Sequence, residues 1–350
     1  MKKKHLMITL SVVIGFTAIL GGYFFAKLKN PEVPVTSEVP DEALEFTNTD
    51  ADTDENSSIS PYTGELLSTE QLTNDTFMCL IENSRQARPQ SGLSQTDFLY
   101  EVMTEGGITR FLGLFNSNTV DKIGPVRSAR YYFLDLIEEF NLPFAHCGGS
   151  YDSLDRISAD SSLKSMNEMA NTNYFMRDNS RVAPHNLYTK TENMDKLLDA
   201  KNFSKDEPRD FTFNDDYWAN SDLDNCQNIE LKLSPYYTTS YSLSENGYVK
   251  SMDGKEAIDA SNNEVLSFDN IVIQLTDITN RENEEYMNID LVSSGDAYVI
   301  SSGKMIKATW SKSSTNDTTI LKDSSGKEIP FSIGNTIWHI ADSSNEIIFD

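Results

Sequence analysis

The chain has 350 residues, room for about two ordinary domains plus extensions, and a formal net charge of −25. Phosphate backbones are held by basic patches, so this balance excludes nucleic acid as a partner. Residues 1–29 carry five Lys and no acid, residues 30–84 carry 13 Asp and Glu and no Lys or Arg, and residues 85–350 carry 24 basic against 41 acidic side chains, which sets a basic start and an acidic stretch apart from the rest.

In chain order, Lys2, Lys3 and Lys4 precede an uncharged, mostly apolar run from Leu6 to Ala26, and Lys27 and Lys29 follow it. At a rise of about 1.5 Å per residue the run spans roughly 30 Å, the thickness of a bilayer core. The reading is a single-pass anchor at 1–29, with the N-terminus cytoplasmic and the bulk extracellular by the positive-inside rule. The alternative is secretion after signal-peptide cleavage. Residues 30–60, with Pro31, Pro34 and Pro40 among acids and TNTDADTDENSS after them, read as a disordered tether with too little apolar surface to offset its ordering entropy.

A mixed α/β domain is expected at 61–225. Residues 76–82, 99–104 and 109–115 read as strands, with Gly106-Gly107 as a hairpin-like turn. Pro125 opens a run with apolar spacing that predicts a helix over 125–140. Residues 142–147 read as a strand, and 153–157, 161–170 and 190–200 as helices. From 226 to 350 the chain is Ser/Thr/Asn-rich, with short β-prone runs between turn signals such as Asn246-Gly247 and Ser302-Gly303. That pattern predicts an antiparallel β-rich domain and an α+β chain as a whole. Cys79, Cys147 and Cys226 fit neither a metal motif nor a disulfide framework.

The pieces ENSRQARPQSGLSQTDFLYEV, EGGITRFLGLF, IGPVRSARYYFLDL, AHCGGS, RDNSRVAPHNLYT and GKEIPFSIGNTIWHI resemble the YerB-like family of exported lipoproteins of unknown function. The resemblance spans roughly 61–340 and implies a two-module extracytoplasmic protein with no established activity. Lipidated members carry an anchoring Cys. Here the expected membrane anchor would take its place.

From residue 85 to 185 there are eight Arg and two Lys, and from 186 to 350 two Arg and twelve Lys. Arg suits bidentate recognition of carboxylate or phosphate, so the contrast marks the first domain as the one with a site. The candidate ligand-binding residues are Arg85, Arg88, Arg110, Arg127, Ser128, Arg130, Arg181, His185 and Asn186. If Pro125 starts the helix, Arg127 and Arg130 oppose its dipole, and an anion or an internal acid must compensate. Against a ligand cleft stand internal salt bridges to Asp97, Glu101, Glu105, Asp135 and Asp178. His185 and Asp178 are the catalytic candidates. The favoured reading of His185 and Asn186 is that they support their loop by hydrogen bonds to its backbone. His146 and Cys147, adjacent on a strand, point to opposite faces and make no dyad. His339 reads as structural.

Two functions follow from these readings. One is an anion-binding or accessory module of the cell envelope, without a cofactor, whose partner is an anionic wall polymer, a lipid headgroup or a protein's carboxylates. The other is an envelope enzyme acting on a phosphorylated lipid or glycopolymer, analogous to the LytR-CpsA-Psr ligases. Only there would Mg²⁺ enter, with Asp97 or Asp178 as ligands and Arg110, Arg127 and Arg130 as the phosphate clamp.

Overall fold

Phe77–Glu82, Phe98–Met103 and Thr109–Phe115 are strands in which every residue is buried. Side chains alternate faces along a strand, so such strands need a covering layer on each side. A computed structural model, describing residues 57–71, 75–203, 209, 211–282 and 286–350, supplies both layers. The expected anchor, and the tether up to residue 56, lie outside the described residues. Among the described residues no helix is long and apolar enough to cross a membrane.

On one face, Met78, Leu80, Tyr100 and Leu112 pack with Phe133, Leu134, Ile137 and Phe140 of helix α1 (Tyr131–Phe140), joined by Trp310 and Trp338. On the other, Cys79, Ile81, Leu99 and Phe111 share a core with Leu231, Tyr241 and Tyr248 of a second sheet and with Met194 and Leu197 of α3 (Thr191–Lys201). Helix α2 (Tyr151–Ala159) lies beside α1.

The large sheet has 11 strands. From Phe77–Glu82 outward on one side come Phe144–His146 and Ser165–Asn167, both parallel. On the other side come Thr109–Phe115, Phe98–Met103, Thr336–Asp342, Asn270–Thr276, Ser294–Ser301 and Lys304–Ser311. The segments before and after residue 225 therefore build one sheet. Their join is a parallel ladder in which Phe98 faces Thr336 and Glu101 faces His339. The second sheet is antiparallel, with Asn228–Ser234, Tyr237–Ser244 and Gly247–Met252 at its centre and Glu346–Phe349 at one edge. The chain is α+β with a β-rich C-terminal region, as its sequence implies. The C-terminal strands are not all antiparallel, because Thr336–Asp342 runs parallel to both its neighbours.

Two expectations are corrected. Helix α1 begins at Tyr131, not Pro125. Residues 123–129 are extended because Val126, Arg127 and Ala129 donate their N–H groups to the carbonyls of Leu187, Leu80 and Gly148. A helix would forfeit all three. Residues 161–170 hold the strand Ser165–Asn167 and the 3₁₀ turn Glu168–Ala170 instead of a helix, since buried Met166 extends the large sheet.

A charged joint lies between the two sheets. Glu101, Lys250 and His339 are each 0% exposed. The Lys250 ammonium donates to Glu101 (2.8 Å), Thr239 (2.6 Å) and the Tyr241 hydroxyl (2.8 Å), using all three of its protons. Glu101 also accepts from Asn83, Thr109 and Tyr237 at 2.6–3.0 Å. His339 meets the Tyr241 hydroxyl at 2.7 Å, which fits the structural role expected for it.

Candidate functional site

Phe77–Glu82, Phe98–Met103, Phe144–His146 and Thr336–Asp342 point one way, so their carboxyl ends share one edge of the large sheet. In open α/β sheets, ligands sit outside this edge. Arg85 and Arg88 follow the first of these strands, Glu105 follows the second, and Arg110 stands at the start of the antiparallel Thr109–Phe115. The extended segment with Arg127, Ser128 and Arg130 is laid along the same edge by bridges from Val126 to Ile81 and from Ala129 to Gly149. The loop after Met176–Arg177 adds Arg181, His185 and Asn186.

The guanidinium groups are brought together, but as pairs with carboxylates. Arg127 grips Glu82 with Nε (2.9 Å) and Nη2 (3.1 Å). Arg130 binds both oxygens of Glu105 and donates to the Ala129 carbonyl. Arg110 reaches Glu105 at 3.8 Å and donates to the Ser128 carbonyl at 2.6 Å. Arg85 and Arg88 share Asp253 at 3.3 and 2.9 Å. Arg181 is spent on the Ala87 and Pro89 carbonyls, and Asn186 accepts from Arg177. Ser128 donates its hydroxyl to the Cys147 carbonyl, so it offers an edge ligand no proton in this arrangement. Burial, with the Arg130 and Arg127 cations nearby, brings Arg110 down to about 10, still charged at neutral pH. Burial pushes Glu105 up, but the Arg130 hydrogen bond and the Arg110 charge outweigh it and leave the carboxyl below its ordinary value.

Of the acids expected as internal partners, Glu105 takes that role for Arg110 and Arg130, and Asp135 does so for Arg156. Asp178 pairs with Lys122 at 2.6 Å and caps Ser180. Glu101 serves the inter-sheet joint. Asp97 faces inward, accepting from the Ser117 hydroxyl and from the N–H groups of Asn116 and Ser117. These bonds make Asp97 the clasp of the turn after Thr109–Phe115. Two partners escaped the sequence reading, Glu82 and Asp253. Glu82 ends an apolar strand, where an acid reads as a boundary marker. Asp253 lies 165 residues from Arg88, and no local signal reports that contact.

His185 turns Nδ1 to Glu82 at 2.8 Å, which fixes the ring and leaves Nε2 pointing away from that carboxylate. Glu82 thereby holds Arg127, His185 and the Ser84 hydroxyl at once. His146 is buried between Ser165 and the Gly148 carbonyl, while Cys147 donates to Glu168, so the two do not act together. All three cysteines are free thiols. Among the described residues no group of three or more His, Cys, Asp or Glu is placed to hold a metal ion.

Beside Arg85 and Arg88 a groove of about 780 Å³ is lined by Pro89, Met252, Asp253 and Lys255. The loop that carries these arginines turns at Gly92, whose φ is 89°. A Cβ there would lie 3.0 Å from the Lys122 carbonyl oxygen. Gly92→Ala is expected to cost about 1–2 kcal/mol for the left-handed backbone, read as a lower urea midpoint. An unchanged midpoint would show that the loop relaxes freely.

The sequence matches two descriptions in turn: "Protein of unknown function (DUF3048) N-terminal domain" at residues 62–204, and the corresponding C-terminal domain at 228–338. A Bacillus subtilis (strain 168) protein named "Putative lipoprotein YerB" is 30% identical over 299 residues, covering 79% of this chain and 84% of that protein. The crystal structure of YerB protein from Bacillus subtilis has a TM-score of 0.74 at 26% identity, over 83% of this chain and 99% of that one.

Proposed function

The chain belongs to the two-module DUF3048 family of unknown function, and from that premise we propose that it is a cell-envelope binding module that takes an anionic group at the carboxyl edge of its large sheet. One observation carries the reading. Five guanidiniums at that edge (Arg85, Arg88, Arg110, Arg127 and Arg130) share three carboxylates, Asp253, Glu105 and Glu82. In a chain of net charge −25, this local excess of cations is where an anion gains most. The ligand's oxygens would compete for the guanidiniums that now share a carboxylate. Placement in the envelope rests on the relative's name and on the apolar run from Leu6 to Ala26. The ligand class is an anionic wall polymer, a lipid headgroup or a partner's carboxylates.

The full chain should be stabilised by inorganic pyrophosphate. A ligand at 100 times its Kd adds about 2.7 kcal/mol, which a thermal melt reads directly. The Arg127→Ala/Arg130→Ala variant should fold and lose most of the shift. An unshifted melt with both pyrophosphate and a dicarboxylate would refute the binding reading.

A second reading, an enzyme acting on a phosphorylated lipid or glycopolymer, has one observation in its favour: the Glu82–His185 pair, an oriented imidazole beside the arginines. It requires turnover of such a substrate that depends on His185, and binding without turnover favours the module.

A further inference from the structure

A second feature of the same edge specifies the ligand more closely. Between the starts of α1 and α2 and the hairpin Ile278–Asn280/Met287–Ile289 lies a pocket of about 230 Å³, walled by Tyr131, Tyr132, Asp135, Asp152, Arg281 and Asn288. That is below the roughly 300 Å³ at which sites for drug-sized ligands begin, and it suits a single ring. Tyr132 is 4% exposed, yet its hydroxyl has no hydrogen-bond partner among the described residues. Arg110, 6% exposed and electrostatically coupled to Tyr132, has an Nε in the same condition. Buried donors are rarely left unpaired, because each one costs free energy. The Tyr132 hydroxyl lines the pocket and calls for an acceptor there, and the Arg110, Arg130 and Arg281 charges that act on it outnumber the opposing Glu105 and favour an anionic one.

The mouth of the pocket has a different chemistry. Arg281 is held by Asp152 at 2.6 Å and by Asn288 at 2.9 Å, which sets a carboxylate, a guanidinium and an amide side by side. Of the lining, Tyr131 is 40% exposed, and next to Asp152 in sequence, outside the lining, Tyr151 is 57% exposed and lies 6.3 Å from the Tyr286 ring. Arg156 covers one face of Tyr131 at 4.7 Å, and Arg130 covers Tyr286 at 5.2 Å. A hydrocarbon acid would use the rings and the cations but would make no use of the lone pairs that Asp152 and Asn288 keep beside Arg281. A ring with hydroxyls satisfies both sets: its C–H face lies on tyrosine, its hydroxyls pair with Asp152 and Asn288, and its acid accepts from Tyr132 and the arginines.

From this juxtaposition we infer that the pocket is a subsite for an acid-bearing sugar unit, a uronate or a sugar phosphate. The inference rests on the anion-binding reading of the edge and adds the ring beside the charge.

The test is a calorimetric titration of the full chain with glucuronate, glucose 1-phosphate and glucose. Both acidic sugars should bind, and glucose at least tenfold more weakly. The tighter of the two identifies the acid as carboxylate or phosphate. Tyr132→Phe removes only an unpartnered hydroxyl, so the variant keeps its fold, and it should bind acidic sugars several-fold more weakly. Arg281→Gln should weaken them about tenfold, while Lys232→Ala, at the edge of the second sheet beside Glu346, should leave them unchanged. Glucose binding as tightly as the acids, or Tyr132→Phe binding as tightly as the parent, would overturn the subsite. Stabilisation by pyrophosphate with neither acidic sugar binding would overturn it while leaving the edge reading intact. No binding of any of these anions would remove both.

Discussion

Replacing Lys250 by alanine should lower the unfolding free energy by about 3–5 kcal/mol, the penalty for stranding one member of a buried ion pair. Lys250 and Glu101 are both 0% exposed, one on each sheet, at 2.8 Å. Burial alone would raise Glu101, but Lys250, His339 and the Tyr237 hydroxyl outweigh it and hold the carboxyl down at about 2. Without the ammonium, Glu101 must stay charged without its counterion or take up a proton, and either route destabilises the joint between the sheets. The double variant Glu101→Leu/Lys250→Met removes both charges and should recover much of the loss. Urea unfolding at pH 7 measures both. A single-variant cost below about 1 kcal/mol would mean that water reaches the joint.

Acidification should cost several kcal/mol between about pH 6.5 and pH 3. Burial brings His339 down to about 3, and burial, against the opposing Gly148 hydrogen bond, brings His146 down to about 4. Both rings are neutral in the folded chain at pH 5, while the unfolded chain protonates near 6.5. The unfolded state then binds more protons, so stability falls as pH falls through this window, by up to about 1.4 kcal/mol per pH unit for each ring. Glu101 extends the loss below about 4.5, where the unfolded carboxyl protonates first. Asp97 works the other way: burial raises it to about 6, against its Ser117 and Asn116 bonds, which offsets one histidine between about pH 4 and 6. Denaturant midpoints at pH 7, 5 and 4 should decline, more weakly in a His146→Phe variant. A flat profile would contradict neutral buried histidines.

The strands were legible because apolar runs such as Phe77–Glu82 and Asn270–Thr276 are buried on both faces and read as continuous stretches. The start of α1 was not. Its periodicity is real, but the preceding GPVRSA is drawn into extended pairing by strands distant in sequence, and local spacing carries no trace of that. The concentration of arginines in the first module was visible in the contrast between Arg and Lys usage, but their placement along one sheet edge was not. Nor were their partners, since Asp253 comes from the far module and Glu82 from a strand end. Nothing in the sequence singles out Tyr132. Its unpaired hydroxyl appears once the walls around it are in place.

The central claim, an anion held at the carboxyl edge, is tested most directly by the arginine Nε–H resonances of the full chain during a pyrophosphate titration. The Arg110 Nε has no partner among the described residues, so its signal is the reporter of choice. The account predicts saturable shifts at Arg110, Arg127 and Arg130 that weaken at high salt. Resonances that stay in place at these three residues, with at most a shift at the exposed Arg85, would contradict it.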